Sequence, residues 1–151
     1  MTAAARHEQR QQQLAAIFRS ATVIPVLTIE RLDDAVPLSR ALVAGGVRVL
    51  EVTLRTPVAV DAAKAMIAEV PEAVVGIGTI LNADDLARAR GLGAKFGISP
   101  GATPDLLKAA AESDLPVTCA DLSKAERLLN YWPTIPLAQG VAEFIASFHP
   151  A

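Results

Sequence analysis

Short apolar runs alternate with longer mixed segments along this chain. The runs at 22–29 (TVIPVLTI), 47–54 (VRVLEVTL), 73–81 (AVVGIGTIL), 94–99 (AKFGIS) and 115–119 (LPVTC) read as strands. The segments at 4–19, 32–46, 57–69, 82–93 and 103–113 read as helices. Their ends are marked. Acids fill the first turn after Leu32, Pro37 falls early, and Gly45-Gly46 stop that helix. Asn82 and Thr103 stand as N-caps, with Pro104 at the first helical position and Asp105 behind it.

Regular alternation of strand and helix predicts a parallel sheet under helical cover. Two architectures fit: an open doubly wound sheet, or part of a (β/α)8 barrel. A full barrel takes about 250 residues. The chain has 151 residues, so the expected fold is α/β, a partial (β/α)8 TIM barrel of about five βα units with an N-terminal helix. The expected division is a capping helix over 1–19, βα units over 20–117 and a divergent tail over 118–151.

Composition narrows the class. Hydrophobic residues make up 52% of the chain, which excludes a disordered protein. The net charge of -2 argues against nucleic acid as a partner. Cys119 is the one cysteine and His7 and His149 the two histidines, so neither an internal disulfide nor a zinc site is expected. No apolar run approaches the roughly 20 residues of a membrane span, and the first residues are polar where a signal peptide is apolar. A cytoplasmic location is the expectation.

Chemistry concentrates in VRVLEVTLRT. Side chains alternate along a strand, so Val49, Glu51, Thr53 and Arg55 share one face. A buried carboxylate is costly unless paired or hydrogen-bonded. Polar residues at the C-terminal ends of barrel strands usually belong to the active site. A purely structural Glu51–Arg55 pair at the strand exit is the competing reading. In GIGTIL, Gly78 would let backbone approach a ligand and Thr79 offers a hydroxyl. In ISPGATPD, the turn at Ser99, Pro100 and Gly101 offers backbone N–H groups to a carboxylate or phosphate, or is an ordinary βα turn.

VIPVLTIE, ALVAGGVRVLEVTLRT, VGIGTILNADDL, GAKFGISPGATPDLLKAA and DLPV, in this order, closely resemble the 2-keto-3-deoxy-6-phosphogluconate (KDPG/KHG) aldolases. That family is a (β/α)8 barrel of class I, Schiff-base lyases. It splits a phosphorylated 2-keto-3-deoxy sugar acid into pyruvate and glyceraldehyde 3-phosphate. The resemblance implies that Glu51 is the general acid/base and Arg55 the receptor for the pyruvoyl carboxylate. It implies that Thr79 lines the pyruvate pocket and that Pro100 contacts substrate. No cofactor and no metal are implied. The implied partners are a small 2-keto acid or sugar-acid phosphate and, as the family is commonly trimeric, further copies of the chain.

A class I aldolase needs a lysine amine to form the iminium. The family's lysine lies on the sixth strand, in a segment like KFFPAE. The likeness fades after about Val117, and no lysine stands at that motif here. The closing SFHPA echoes KFFPA with Ser147 in the lysine's place. Lys64 and Lys108 fall in helices, Lys95 opens a strand at the far end from the chemistry, and Lys124 lies in the unmatched tail. The expectation is an aldolase relative, truncated or frameshifted after about Val117 and inactive alone. The alternative is a non-catalytic half-barrel that binds a small 2-keto acid or acts as an assembly module.

Overall fold

The computed structural model describes residues 3–101, 103–118, 127–128 and 139. The chain divides into two compact units, 1–120 and 121–151. The fold below is that of the first unit. In the second, residues 127–128 and 139 are helical.

The elements in order are α1 (Ala3–Arg19), β1 (Val26–Leu27), α2 (Leu32–Ala44), β2 (Val49–Thr53), α3 (Ala59–Glu69), β3 (Val74–Gly78), α4 (Ala83–Gly91), β4 (Gly97–Ile98), α5 (Pro104–Glu112) and β5 (Val117–Thr118). The five strands form one parallel sheet in the order β1-β2-β3-β4-β5. Crossovers between parallel strands are right-handed, so an order that never reverses puts all the connecting helices on one face. A doubly wound sheet must reverse. The sequential order therefore selects the barrel segment.

The strands are shorter than the apolar runs suggested. The run at 22–29 contributes only Val26 and Leu27, because Pro25 has no N–H for the ladder. Its carbonyl still accepts from the Glu51 N–H at 3.0 Å. The run at 73–81 ends as strand at Gly78, where Thr79 turns to φ 64°. Arg55 was expected on the face of β2, but that strand ends at Thr53 and Arg55 lies in the turn beyond.

Caps behave as their chemistry requires. The Asn82 side chain accepts from the Asp85 N–H at 2.9 Å, and Thr103 accepts from Leu106 at 3.2 Å. At the end of α2, Gly46 adopts φ +87°, and the Val47 N–H reaches back to the Leu42 carbonyl at 2.9 Å. This Schellman closure needs a left-handed residue.

Packing follows the pleat. Leu50 and Val52 of β2 and Val75 and Ile77 of β3 lie in the core cluster with Ala35, Ala62, Ala63, Met66 and Leu86 from the helices. Alternate residues face the other way: Val49, Glu51 and Thr53 on β2, with Gly76 and Gly78 on β3. Alanines on α3 at positions 59, 62 and 63 are fully buried and let the helix approach closely.

α1 closes on the same unit. Arg10 Nη1 donates to the carbonyls of Ala110 and Ala111, at 2.9 and 3.0 Å, and to that of Ser113. It thereby caps the C-terminus of α5, where orphan carbonyls await donors. Phe18 meets the fully buried Phe96 edge-on, with centroids 5.8 Å apart.

Candidate active site at the carboxyl edge of the sheet

Glu51 is in the middle of β2, opposite Gly76 in register. Its side chain leans toward the carboxyl end of the neighbouring strand. A Cβ on Gly78 would collide with the Glu51 carboxylate, so the carboxyl group occupies the space that residue 78 leaves open. Gly78 was expected to let backbone approach a ligand; the space its missing Cβ leaves holds the Glu51 side chain. One step back along β3, a Cβ on Gly76 would meet the Phe96 ring. Two glycines on one face of β3 thus seat a carboxyl group and an aromatic ring side by side.

Glu51 is 7% exposed. Among the described residues, no hydrogen bond or ion pair engages its carboxyl group. Burial pushes its pKa above the ordinary value of 4.5, and the nearby Arg55 charge partly opposes that rise. The two are not salt-bridged, because no contact within 4.0 Å joins them. The reading of Glu51 and Arg55 as a structural pair therefore fails. Arg55 is exposed in the turn after β2, its guanidinium uncommitted among the described residues.

Thr79 is half-buried and directly follows β3. A β-branched residue at φ 64° is strained, and such strain gathers at functional sites. Pro100 is exposed two residues beyond β4. Glu51, Arg55, Thr79 and Pro100 thus belong to the carboxyl halves and exits of three adjacent strands. The turn at 99–101 does not offer free N–H groups. The Ser99 N–H pairs with Thr118 O at 3.0 Å, Pro100 has none, and the Gly101 N–H donates to Ser99 Oγ at 3.3 Å.

Sequence reasoning missed the supports. Thr53 Oγ1 donates to Leu27 O at 3.0 Å and lies 3.2 Å from Thr28 Oγ1, which ties β1 to β2 beneath the site. Thr56 Oγ1 donates to Ile29 O at 2.6 Å and anchors the Arg55 turn. The threonine in RT and the one in LTI were the available signals. Nothing local marked Phe96 as the ring packed over Gly76.

Of the described lysines, Lys64 and Lys108 are exposed on α3 and α5, and Lys95 is exposed ahead of β4, at the amino edge. None lies at the carboxyl edge. Lys124 and Ser147 lie outside the described residues, as does most of the tail 118–151. Among the described residues no His, Cys, Asp and Glu cluster could hold a metal ion. No described helix is long and apolar enough to cross a membrane.

A sequential parallel sheet with its acid, its cation and its strained threonine at the carboxyl edge defines a barrel-type α/β protein with its chemistry in the βα turns. The family model "Aldolase: KDPG and KHG aldolase" matches residues 14–130, and the chain belongs to that family. The match runs past Val117, where the motif-level likeness fades. The chain is 48% identical over 136 residues to the KHG/KDPG aldolase of Escherichia coli K12, covering 90% of this chain and 60% of that one. It is 45% identical over 135 residues to the 2-dehydro-3-deoxy-phosphogluconate aldolase of Dickeya dadantii, with 89% and 60% covered. Among solved structures it is similar to the KDPG aldolase of Legionella pneumophila with pyruvate captured as a covalent carbinolamine, at TM-score 0.69 and 37% identity. That match covers 89% of this chain and 70% of the other. The chain therefore spans about 60% of the length of the curated relatives it matches.

Proposed function

We propose that this chain carries the acid/base and carboxylate-binding portion of a KDPG-type aldolase site, and that the 151 residues alone bind a small 2-keto acid without cleaving a sugar acid. The observation that carries the proposal is Glu51: a nearly buried carboxyl group with no partner among the described residues, its pKa raised by burial, under the influence of Arg55. A structural carboxylate would be paired. A proton-transfer group needs a pKa moved toward the working pH, as burial does here.

In this reading Arg55 receives the substrate carboxylate, a charge-assisted contact suited to a guanidinium fork. Thr79 and Pro100 border the same space from β3 and β4. With an amine supplied, it adds to the C2 carbonyl and water leaves to give an iminium. Glu51 then accepts the C4 hydroxyl proton as the C3–C4 bond breaks, and its electrons pass to the iminium as an enamine. Protonation at C3 and hydrolysis release pyruvate. The described lysines do not supply that amine, since each is exposed on a helix or at the amino edge.

The test is reductive trapping. The chain is incubated with pyruvate and borohydride, and intact mass and peptide mapping are read. The expected result is no adduct, with saturable pyruvate binding that falls on Arg55→Ala. A stoichiometric adduct on a lysine of this chain refutes the inactivity. Binding untouched by Arg55→Ala refutes the site.

A further inference from the structure

The amino edge of the sheet, opposite the end that carries the Glu51 carboxyl group, holds two adjoining hollows. One, of about 610 Å³, is bordered by Ala16 and Ile17 of α1 and by Val74, Ala94, Leu115 and Pro116 at the amino ends of β3–β5. Its wall is apolar. The other, of about 510 Å³, is bordered by Arg6 and Arg10 of α1 and by Glu112. Gln13, Arg90 and Asp114 border both, so the hollows share a wall. Each has the size of a small-molecule site.

The charges are unbalanced. Arg6, Arg10, Arg90 and Lys95 face Glu112 and Asp114, four cations against two carboxylates. Arg10 is spent on the carbonyls ending α5. Arg90 pairs with Asp114 at 2.7 Å. Arg6 has no such commitment: its Nε is buried without an acceptor among the described residues. Its terminal amines make no hydrogen bond or ion pair with any described residue, so the guanidinium charge borders the second hollow unspent. Glu112 beside it disfavours a doubly charged ligand.

We propose that this cleft binds a small amphipathic monocarboxylate, with its head at Arg6 and its aliphatic tail beside Ile17 and Leu115. α1 supplies Arg6 and Ile17, and the segment entering β5 supplies Leu115. Binding therefore clamps α1 onto the floor of the sheet. The site is separate from the 2-keto acid site and does not depend on that assignment.

The probe is octanoate, with 1-octanol as its uncharged counterpart, titrated into the full chain by calorimetry. The expected result is saturable 1:1 binding of octanoate, at least tenfold tighter than octanol. Arg6→Gln, which deletes the charge, and Ala16→Trp, which fills the apolar hollow from an exposed helix position, each weaken it at least tenfold. Arg55→Ala leaves octanoate binding unchanged, and amide exchange in α1 slows on binding. Circular dichroism confirms that each variant is folded. Equal affinity for octanol overturns the proposal, as does binding within twofold of wild type in both Arg6→Gln and Ala16→Trp. So does loss of octanoate binding in Arg55→Ala, or no saturable binding at all.

Discussion

Gly78→Ala is the sharpest perturbation of the Glu51 seat. A Cβ there comes within 2.8 Å of Glu51 Cδ and 2.9 Å of Cγ, and closer still to Oε1. Ordinary carbon contacts begin near 3.5 Å, so a side chain only 7% exposed must move by more than half an ångström. Overpacking of this kind costs about 1–3 kcal/mol. The reduced freedom of the unfolded chain returns about 0.4–1 kcal/mol. The net loss is about 1–2 kcal/mol. In a Glu51→Ala background all three atoms nearest the new Cβ are gone. There Gly78→Ala becomes neutral or mildly stabilising, which gives a coupling energy of about 2 kcal/mol. Urea unfolding of the four proteins, followed by far-UV circular dichroism, measures the cycle. Equal costs of Gly78→Ala in both backgrounds, within about 0.5 kcal/mol, would refute the placement of Glu51 over Gly78.

The remaining predictions concern charge, strain and an idle hydroxyl. Because burial raises the Glu51 pKa, the folded chain holds that proton more tightly than the unfolded chain does. Glu51→Gln should match wild type below about pH 4 and become progressively more stable than it as pH rises through the folded pKa, by about 1.4 kcal/mol per tenfold of proton affinity. Melting curves at several pH values read this, and parallel profiles count against it. Thr79→Gly relieves a left-handed β-branched residue and should gain about 0.5–1 kcal/mol, or roughly 2 °C by calorimetry, while weakening pyruvate binding. A lowered melting temperature would show that the turn is not strained. Ser39 is fully buried on α2 and its hydroxyl has no partner among the described residues. Ser39→Ala should stabilise by about 1 kcal/mol, and a loss in urea unfolding would reveal an unseen hydrogen bond.

The βα order was legible where helices mark their ends. Asn82 and Thr103 cap as their side-chain chemistry demands, and the glycines after α2 close it. Strand limits were less legible. Apolar content does not report which N–H groups find partners, so Pro25 and Thr79 shortened two strands that composition had extended. Within the site, alternation along VRVLEVT put Glu51 on the face away from the core cluster, whereas the roles of Thr79 and Pro100 rest on the family resemblance. The seat itself was hidden. It depends on Glu51 facing Gly76 across strands and on Phe96 reaching over β3, which are matters of register. The amino-edge cleft was hidden for a similar reason, since Arg10 meets its acceptors about 100 residues away.

That last contact orders events in time. The sheet pairs each strand with the next, so β1 to β5 can assemble one after another as the chain emerges from the ribosome. α1 is made first, yet Arg10 has its carbonyl partners only once Ser113 exists, 103 positions later. At about 5–20 residues per second that is a wait of roughly 5–20 s. Throughout it the helix is without the Ser113 anchor. The first helix made therefore cannot be fully anchored before the fifth is complete.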